Sequence, residues 1–216
     1  MDRDELDLRR TLIDTCRSFA PRRLGVGTAG NASVRWRDGM LITPSALPYD
    51  RLRPLDVVWI GPDGARHGER PPSSEWRFHR RILAERPEVA AVVHVHSPAA
   101  TALACLRLDV PAFHYMVAVA GGDDIRCAPY ALFGTDELAD GVLEALAGRR
   151  AALLANHGQV ATGAGLEAAL ALAVEVEALA EQYLLARAAG EPHRLDAGEM
   201  QAVLERFEHY RAGTLD

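Results

Sequence analysis

Four residues in three separated stretches of this 216-residue chain have the types and spacing of a divalent-metal site. Glu75 ends Pro72-Ser73-Ser74-Glu75, His94 and His96 flank Val95, and His157 stands in Asn156-His157-Gly158. The run Ala-Ala-Val-Val-His-Val-His from Ala90 to His96 is rich in β-branched residues and predicts a strand. Side chains at i and i+2 of a strand point to one face, so His94 and His96 converge on one point. Three neutral imidazoles with a coordination position left open make a catalytic zinc arrangement, whereas a structural site is closed by four protein ligands. Mn2+ or Co2+ would suit the same donors. His67, His79, His114, His193 and His209 lack such a setting and read as surface or packing residues. His79 lies one helical turn after Glu75, which makes Glu75-x-x-x-His79 a lesser rival ligand pair.

A second group of residues could hold an anion. Gly27-Thr28-Ala29-Gly30-Asn31 joins flexible backbone to a hydroxyl and an amide, and such loops let N–H groups approach an anion closely. Thr43-Pro44-Ser45 is another hydroxyl-bearing turn. Ser73 and Ser74 precede an expected helix, whose N-terminus favours a phosphate. The G-x-G-x-x-G fingerprint is absent, and no lysine or P-loop is available for a nucleoside triphosphate. Beside a metal site, these elements point to a small phosphorylated substrate.

The elements that must position these groups follow from pattern. Leu6, Leu12, Ile13, Cys16 and Phe19 recur at helical spacing. Ala32 to Trp36 and Met40 to Thr43 read as strands joined through Asp38-Gly39, and Leu55 to Ile60 as another. Ser74 is placed to cap a helix from Glu75 to about Ala84. The histidine strand follows, then a helix from about Pro98 to Leu106 and one from Thr135 to near Gly148. Ala151 to Ala155 predicts a short strand that delivers His157 in the loop beyond it. Gly165 to Ala189 and Ala197 to Tyr210 read as the last helices. Early hairpins with later helices predict a single α/β domain over residues 1–216, a sandwich with a largely antiparallel or mixed sheet.

Composition narrows the class. The formal net charge of -6 leaves no basic footprint for nucleic acid. No apolar run approaches the roughly 18 residues of a membrane span, and the charged start Met1-Asp2-Arg3-Asp4-Glu5 has no signal-peptide core. Cys16, Cys105 and Cys127 are odd in number and far apart, which fits buried structural thiols in a reducing, cytoplasmic setting.

Nearly the whole chain resembles the class II aldolases of the aldolase/adducin superfamily. The resemblance rests on Gly27 to Arg35, Leu41-Ile42-Thr43-Pro44, Pro72 to His79, Val92-Val93-His94, His114-Tyr115-Met116, Ala120-Gly121-Gly122, Cys127-Ala128-Pro129-Tyr130 and Phe133-Gly134-Thr135. It implies a three-layer α/β/α sandwich around a mostly antiparallel sheet. It also implies a homotetramer with active sites between subunits and a zinc-dependent, reversible aldol cleavage. By position, His94, His96 and His157 would ligate zinc. Glu75 would be the acid/base and a possible fourth ligand, tuned by burial toward neutrality. Thr28, Asn31, Ser45, Ala46, Ser73 and Ser74 fall where the family holds the substrate phosphate, with Gly30 shaping the loop. Tyr115 matches a tyrosine that reaches a neighbouring subunit's site and handles the aldehyde-side proton. Phe133 matches an apolar wall, and Tyr210 a tail residue lining the site.

Two departures stand out. The family's phosphate turn reads Thr-Gly or Ser-Gly where this chain has Ser45-Ala46, and glycine there would supply φ > 0. The arginine expected shortly after the tail tyrosine is absent, and Arg211 lies too early. The resemblance is closest to aldolases acting on L-fuculose 1-phosphate, with dihydroxyacetone phosphate and L-lactaldehyde as products. An aldolase for 5-deoxyribulose 1-phosphate or 5-(methylthio)ribulose 1-phosphate is the alternative. Behind these stand a pentulose-5-phosphate 4-epimerase and a non-catalytic adducin-like module, which typically loses the metal ligands this chain keeps.

Overall fold

The alternation of His94 and His96 with small and branched apolar residues dictates where their strand lies. Strand β5 (Ala91–Val95) is wholly buried, because both of its faces are covered. Ala91, Val93 and Val95 belong to one hydrophobic core, while Val92 points into a second core on the opposite face. In the computed structural model, which describes residues 1–212, β5 pairs with β1 (Asn31–Trp36) and with β8 (Gly158–Gly163), both antiparallel.

The remaining strands are β2 (Gly39–Ile42), β3 (Val58–Ile60), β4 (Arg66–His67), β6 (Cys127–Ala128) and β7 (Ala151–Leu154). They complete one sheet of order β4-β3-β2-β1-β5-β8-β7-β6. Every pairing is antiparallel except β6 with β7. Two residues each is all that β4 and β6 contribute, a length that offers little template for pairing with another chain.

Helices cover both faces. The first core joins α1 (Arg3–Arg17), α3 (Pro98–Cys105) and α5 (Leu166–Ala189) to one face. The second joins α2 (Trp76–Glu85) and α4 (Asp136–Ala145) to the other through Phe78, Ile82, Leu138 and Val142. The three-layer α/β/α sandwich with a mostly antiparallel sheet is therefore as expected. The last helix, α6 (Ala197–Ala212), packs against the 3-10 segment Tyr115–Ala120. The departure at Arg211 concerns a side chain outside the described residues.

Several sequence expectations are corrected. The run expected as one strand from Leu55 begins as a 3-10 turn, Pro54–Asp56, because Pro54 sets a helical φ at its start. Ser74 does not cap α2: the cap position is Glu75, whose side chain makes no capping bond, and Ser74 is exposed. Ser73 Oγ instead accepts from the Glu75 N–H at 3.3 Å. Cys105, at the end of α3, is exposed rather than buried, and Cys127 is half-buried. Among the described residues no helix is long and apolar enough to cross a membrane.

Candidate metal centre

Strand parity puts His94 on the α2 face of the sheet, beside Phe78 at 5.6 Å between ring centroids. His96 falls just past the strand's last residue yet keeps the same side: its Nε2 is 3.0 Å from His94 Nε2. His157 arrives in the turn that joins β7 to β8, closed by its own N–H to Leu154 O at 3.0 Å. Asn156 adopts φ 55° in this turn, a left-handed geometry that asparagine tolerates. Glu75 enters at the start of α2, with Oε2 3.1 Å from His94 Nε2 and Oε1 3.1 Å from His157 Nε2.

Two glycines make this convergence possible. A Cβ on Gly158 would lie 2.5 Å from Val95 O and 2.9 Å from His96 Cδ2, so any side chain there would push the hairpin off the histidine strand. Gly30 has φ +93°, and a Cβ would meet His94 O at 2.7 Å. Tyr49 fixes the same loop by donating to Gly30 O at 2.7 Å.

Donor atoms of Glu75, His94, His96 and His157 all lie within 4.8 Å of one another. The 3.0–3.1 Å separations approach the edge of about 3.3 Å that a tetrahedron of Zn–N bonds near 2.0–2.1 Å requires. His94 Nδ1 donates to Gln159 O at 2.8 Å, which turns Nε2 and its lone pair toward the cluster. Glu75 Oε1 is buried without an aligned hydrogen bond. Lone pairs held this close, with an orphaned carboxylate oxygen, fit a shared cation.

Without a cation, burial and mutual charge act on the cluster in opposite directions. Burial pulls His96 down to about 4, helped by the neighbouring charges of His94 and His157, which favours the neutral ligand form. Burial disfavours charge on His94 too, but Glu75 outweighs it and moves the imidazole up. Burial also works against ionised Glu75, yet the His94 charge and the contacts with His157 and His94 hold its carboxyl well below the usual range. The expectation of a Glu75 pKa raised toward neutrality is therefore corrected for this state, because the imidazoles outweigh desolvation. His79 is not among the ligating group. It lies behind it, fully buried, 2.5 Å from Asn31 Oδ1 and 2.8 Å from Ser33 Oγ, and burial draws its pKa down to about 3.

A cavity of about 360 Å³ opens in front of the cluster, with Glu75, His96 and His157 on its wall. Thr28, Gly30, Asn31, Ser45, Ala46, Ser73 and Ser74 line one part of it. A bridge between Pro44 and Pro72 ties the two hydroxyl turns together, through Ser45 N–H to Pro71 O at 3.0 Å and Ser73 N–H to Thr43 O at 2.9 Å. Ala46 stands at φ 56°, the left-handed geometry for which glycine was expected. The Asn31 amide is committed to Glu75 Oε2 at 2.9 Å. Among the described residues no arginine or lysine lines the cavity. Tyr130, Ala131 and Phe133 form its apolar side, on a loop before α4. Tyr115 and Tyr210 do not line it. Both sit in an apolar groove with Val203 and Phe207, where the Tyr115 and Phe207 rings stack at 6.3 Å.

Sequence reasoning missed Gln159, Asn156 and Tyr49. Gln159 sits in an unrecognised strand and acts through its backbone carbonyl, which no residue-type signal reveals. Asn156 carried the only usable hint, an Asn-His-Gly turn after an apolar run.

This fold gathers a group of donors that could hold a metal ion, and residues 10–184 match the family model Class II Aldolase and Adducin N-terminal domain. The chain belongs to that family. It is 56% identical over 210 residues to a 5-methylthioribulose-1-phosphate/5-deoxyribulose-1-phosphate aldolase of Rhodospirillum rubrum, covering 97% of this chain and 95% of the relative. It is 47% identical over 211 residues to the L-fuculose phosphate aldolase of Escherichia coli K12, covering 97% of each. A solved L-fuculose 1-phosphate aldolase superposes with a TM-score of 0.90 at 42% identity, over 94% of this chain and 96% of that one.

Proposed function

We propose that this protein is a divalent-metal aldolase. It cleaves a ketose 1-phosphate reversibly between C3 and C4, giving dihydroxyacetone phosphate and a short aldehyde. The observation that carries the reading is the cluster of Glu75, His94, His96 and His157 at the wall of a hydroxyl-lined cavity. The rival chemistry, a lysine Schiff base, is closed to this chain, since all 24 cationic side chains are arginine. The three imidazoles would hold a cation such as Zn2+, which would supply Lewis-acid polarisation of the C2 carbonyl.

The chain's own groups do the rest. Thr28, Ser45, Ser73 and Ser74 offer hydroxyls, and the N-terminus of α2 offers its field, to a phosphate that meets no cationic side chain. Binding the remote phosphate fixes C2 and C3 at the cluster. As the C3–C4 bond breaks, its electron pair passes to C3 and the C2 oxygen, and Glu75 is placed to return a proton to C3 through Oε1. We assign removal of the C4 hydroxyl proton to Tyr115 of a neighbouring subunit in a homotetramer. That assignment is supported by its absence from the wall of its own chain's cavity and its exposed setting beside Tyr210.

For the aldehyde half we favour a short chain ending in a methyl or methylthio group. 5-Deoxyribulose 1-phosphate and 5-(methylthio)ribulose 1-phosphate therefore rank ahead of L-fuculose 1-phosphate. Support comes from the 56% relative and from the apolar wall of Tyr130, Ala131 and Phe133. A second reading, L-fuculose 1-phosphate, is supported by the 47% relative and the 0.90 superposition. The test is release of dihydroxyacetone phosphate from a panel of these three ketoses, with a pentulose 5-phosphate as epimerase control. The highest kcat/KM on a 5-deoxypentulose is expected. No release from any ketose 1-phosphate would end the aldolase reading.

A further inference from the structure

Behind the cluster a directed chain of polar groups crosses an otherwise apolar core. Ser33 and His79 are fully buried, and Asn31 and Glu75 are nearly so. Ser33 and Asn31 lie two apart on β1 and so share a face. His79 is four residues beyond Glu75, one turn along α2, and stacks on Phe78 at 4.5 Å. The links are Ser33 Oγ to His79 Nδ1 at 2.8 Å, His79 Nε2 to Asn31 Oδ1 at 2.5 Å, and Asn31 Nδ2 to Glu75 Oε2 at 2.9 Å.

The direction of the chain follows from donor and acceptor capacity. An ionised carboxylate only accepts, so the Asn31 amide must present Nδ2 to Glu75 and Oδ1 to His79. Oδ1 only accepts, so His79 carries its proton on Nε2. Nδ1 is then an acceptor, and Ser33 donates to it. Among the described residues His79 is the hydrogen-bond partner of Asn31 Oδ1, and it holds the amide against a flip that would set Oδ1 against the carboxylate. With it, Oε2 of Glu75 is pinned and Oε1 alone is left without an aligned hydrogen bond.

The geometry points to His79 as a positioning residue: through Asn31 it holds Oε2 of Glu75 beside His94 and so leaves Oε1, beside His157, as the oxygen placed to carry the proton. The inference rests on the proposed role of Glu75. It also gives Asn31 a duty its phosphate-loop position did not suggest. A partner of this kind behind a ligand costs about 10–100-fold in metal affinity or activity when lost.

The test compares His79→Phe, which keeps the ring and its stack on Phe78, with His79→Gln, which keeps a donor, and Ser33→Ala. Zinc affinity of the metal-free protein is measured by competition with a chromophoric chelator, and kcat and KM are measured separately. His79→Phe should bind zinc about tenfold more weakly and lose about 10–100-fold in kcat, with KM within about twofold. His79→Gln should recover most of both losses, and Ser33→Ala should show a smaller loss of the same kind. A folded His79→Phe with wild-type zinc affinity overturns the proposal, as does a loss confined to KM. A folded His79→Gln no better than His79→Phe reduces His79 to packing and overturns it too. If His79→Phe does not fold, wild-type zinc affinity and kcat in folded Ser33→Ala overturn it. Should the wild type cleave no ketose 1-phosphate, the aldolase reading falls, while the zinc measurement still decides the role of His79.

Discussion

Asn31 stands directly opposite His94 in the antiparallel register of β1 and β5. One ladder therefore places both a metal donor and the amide that holds Glu75. A slip of one residue between the strands would set the two side chains on opposite faces. The site is thus written into the pairing at the centre of the sheet, where both neighbours of β5 are fixed.

Removing the cation should abolish cleavage, and Zn2+ should restore it at one equivalent per chain. At 100 times its dissociation constant the ion should also add about 2.7 kcal/mol of stability, seen as a raised melting temperature. Full turnover in protein shown by elemental analysis to be metal-free would refute the mechanism. His94→Ala should lose both effects.

Gly158→Ala should injure the site without touching a donor. The added methyl meets Val95 O and the His96 ring, so the expected cost is about 1–3 kcal/mol together with weaker zinc binding. A melting temperature and zinc affinity equal to wild type would show that the hairpin can move aside freely.

Ala46→Gly should stabilise. A left-handed alanine costs about 1–2 kcal/mol, against about 0.5–1 kcal/mol of extra chain entropy for glycine. A net gain of about 0.5–1 kcal/mol is expected in urea melts, and a loss of more than 1 kcal/mol would contradict the φ of 56°.

Acid stability should depend on Asp56. The Arg53 hydrogen bond, against burial and with Arg70 assisting, holds its carboxyl well below the usual range. A pKa depressed in the folded state stabilises the fold above the unfolded value, and that contribution is lost as pH falls below about 4. Asp56→Asn should cost about 1–3 kcal/mol at pH 7 and flatten the stability profile below pH 4. An unchanged acid limb would mean the pair contributes nothing.

Mixing two disabled proteins tests the shared site. Glu75→Gln and Tyr115→Phe should each lose most turnover alone. Unfolded and refolded together, they should regain activity through subunits that combine an intact Glu75 with an intact Tyr115 from a neighbour. No recovery in a verified mixed tetramer would place both residues in one chain's site.

Much of this was legible in the chain because the chemistry rides on strong local patterns. The histidine strand, the helix after Glu75 and the glycine loop all follow from spacing of two or of about four. What stayed hidden is nonlocal. Gly158–Gly163 holds only Val160 and Ala161 as apolar residues between its glycines, so no alternation marks it as a strand. The two-residue strands β4 and β6 exist only because a neighbour offers hydrogen bonds. Asn31 looks like a phosphate-loop amide in sequence, and its link to Glu75 and His79 depends on packing α2 over β1. The Glu75 carboxylate was expected to feel mainly burial, but its histidine neighbours come from stretches that the sequence keeps apart.

The four donors are anchored on or beside core elements, whereas Tyr130 and Phe133 stand on an exposed loop, each more than half uncovered. Replacements in that loop can change the fit of the aldehyde while leaving the bond-breaking apparatus intact. Diversification is thus cheap at the rim and forbidden at the centre. Such a layout lets relatives bearing two different sugar names keep 56% and 47% identity to one chain.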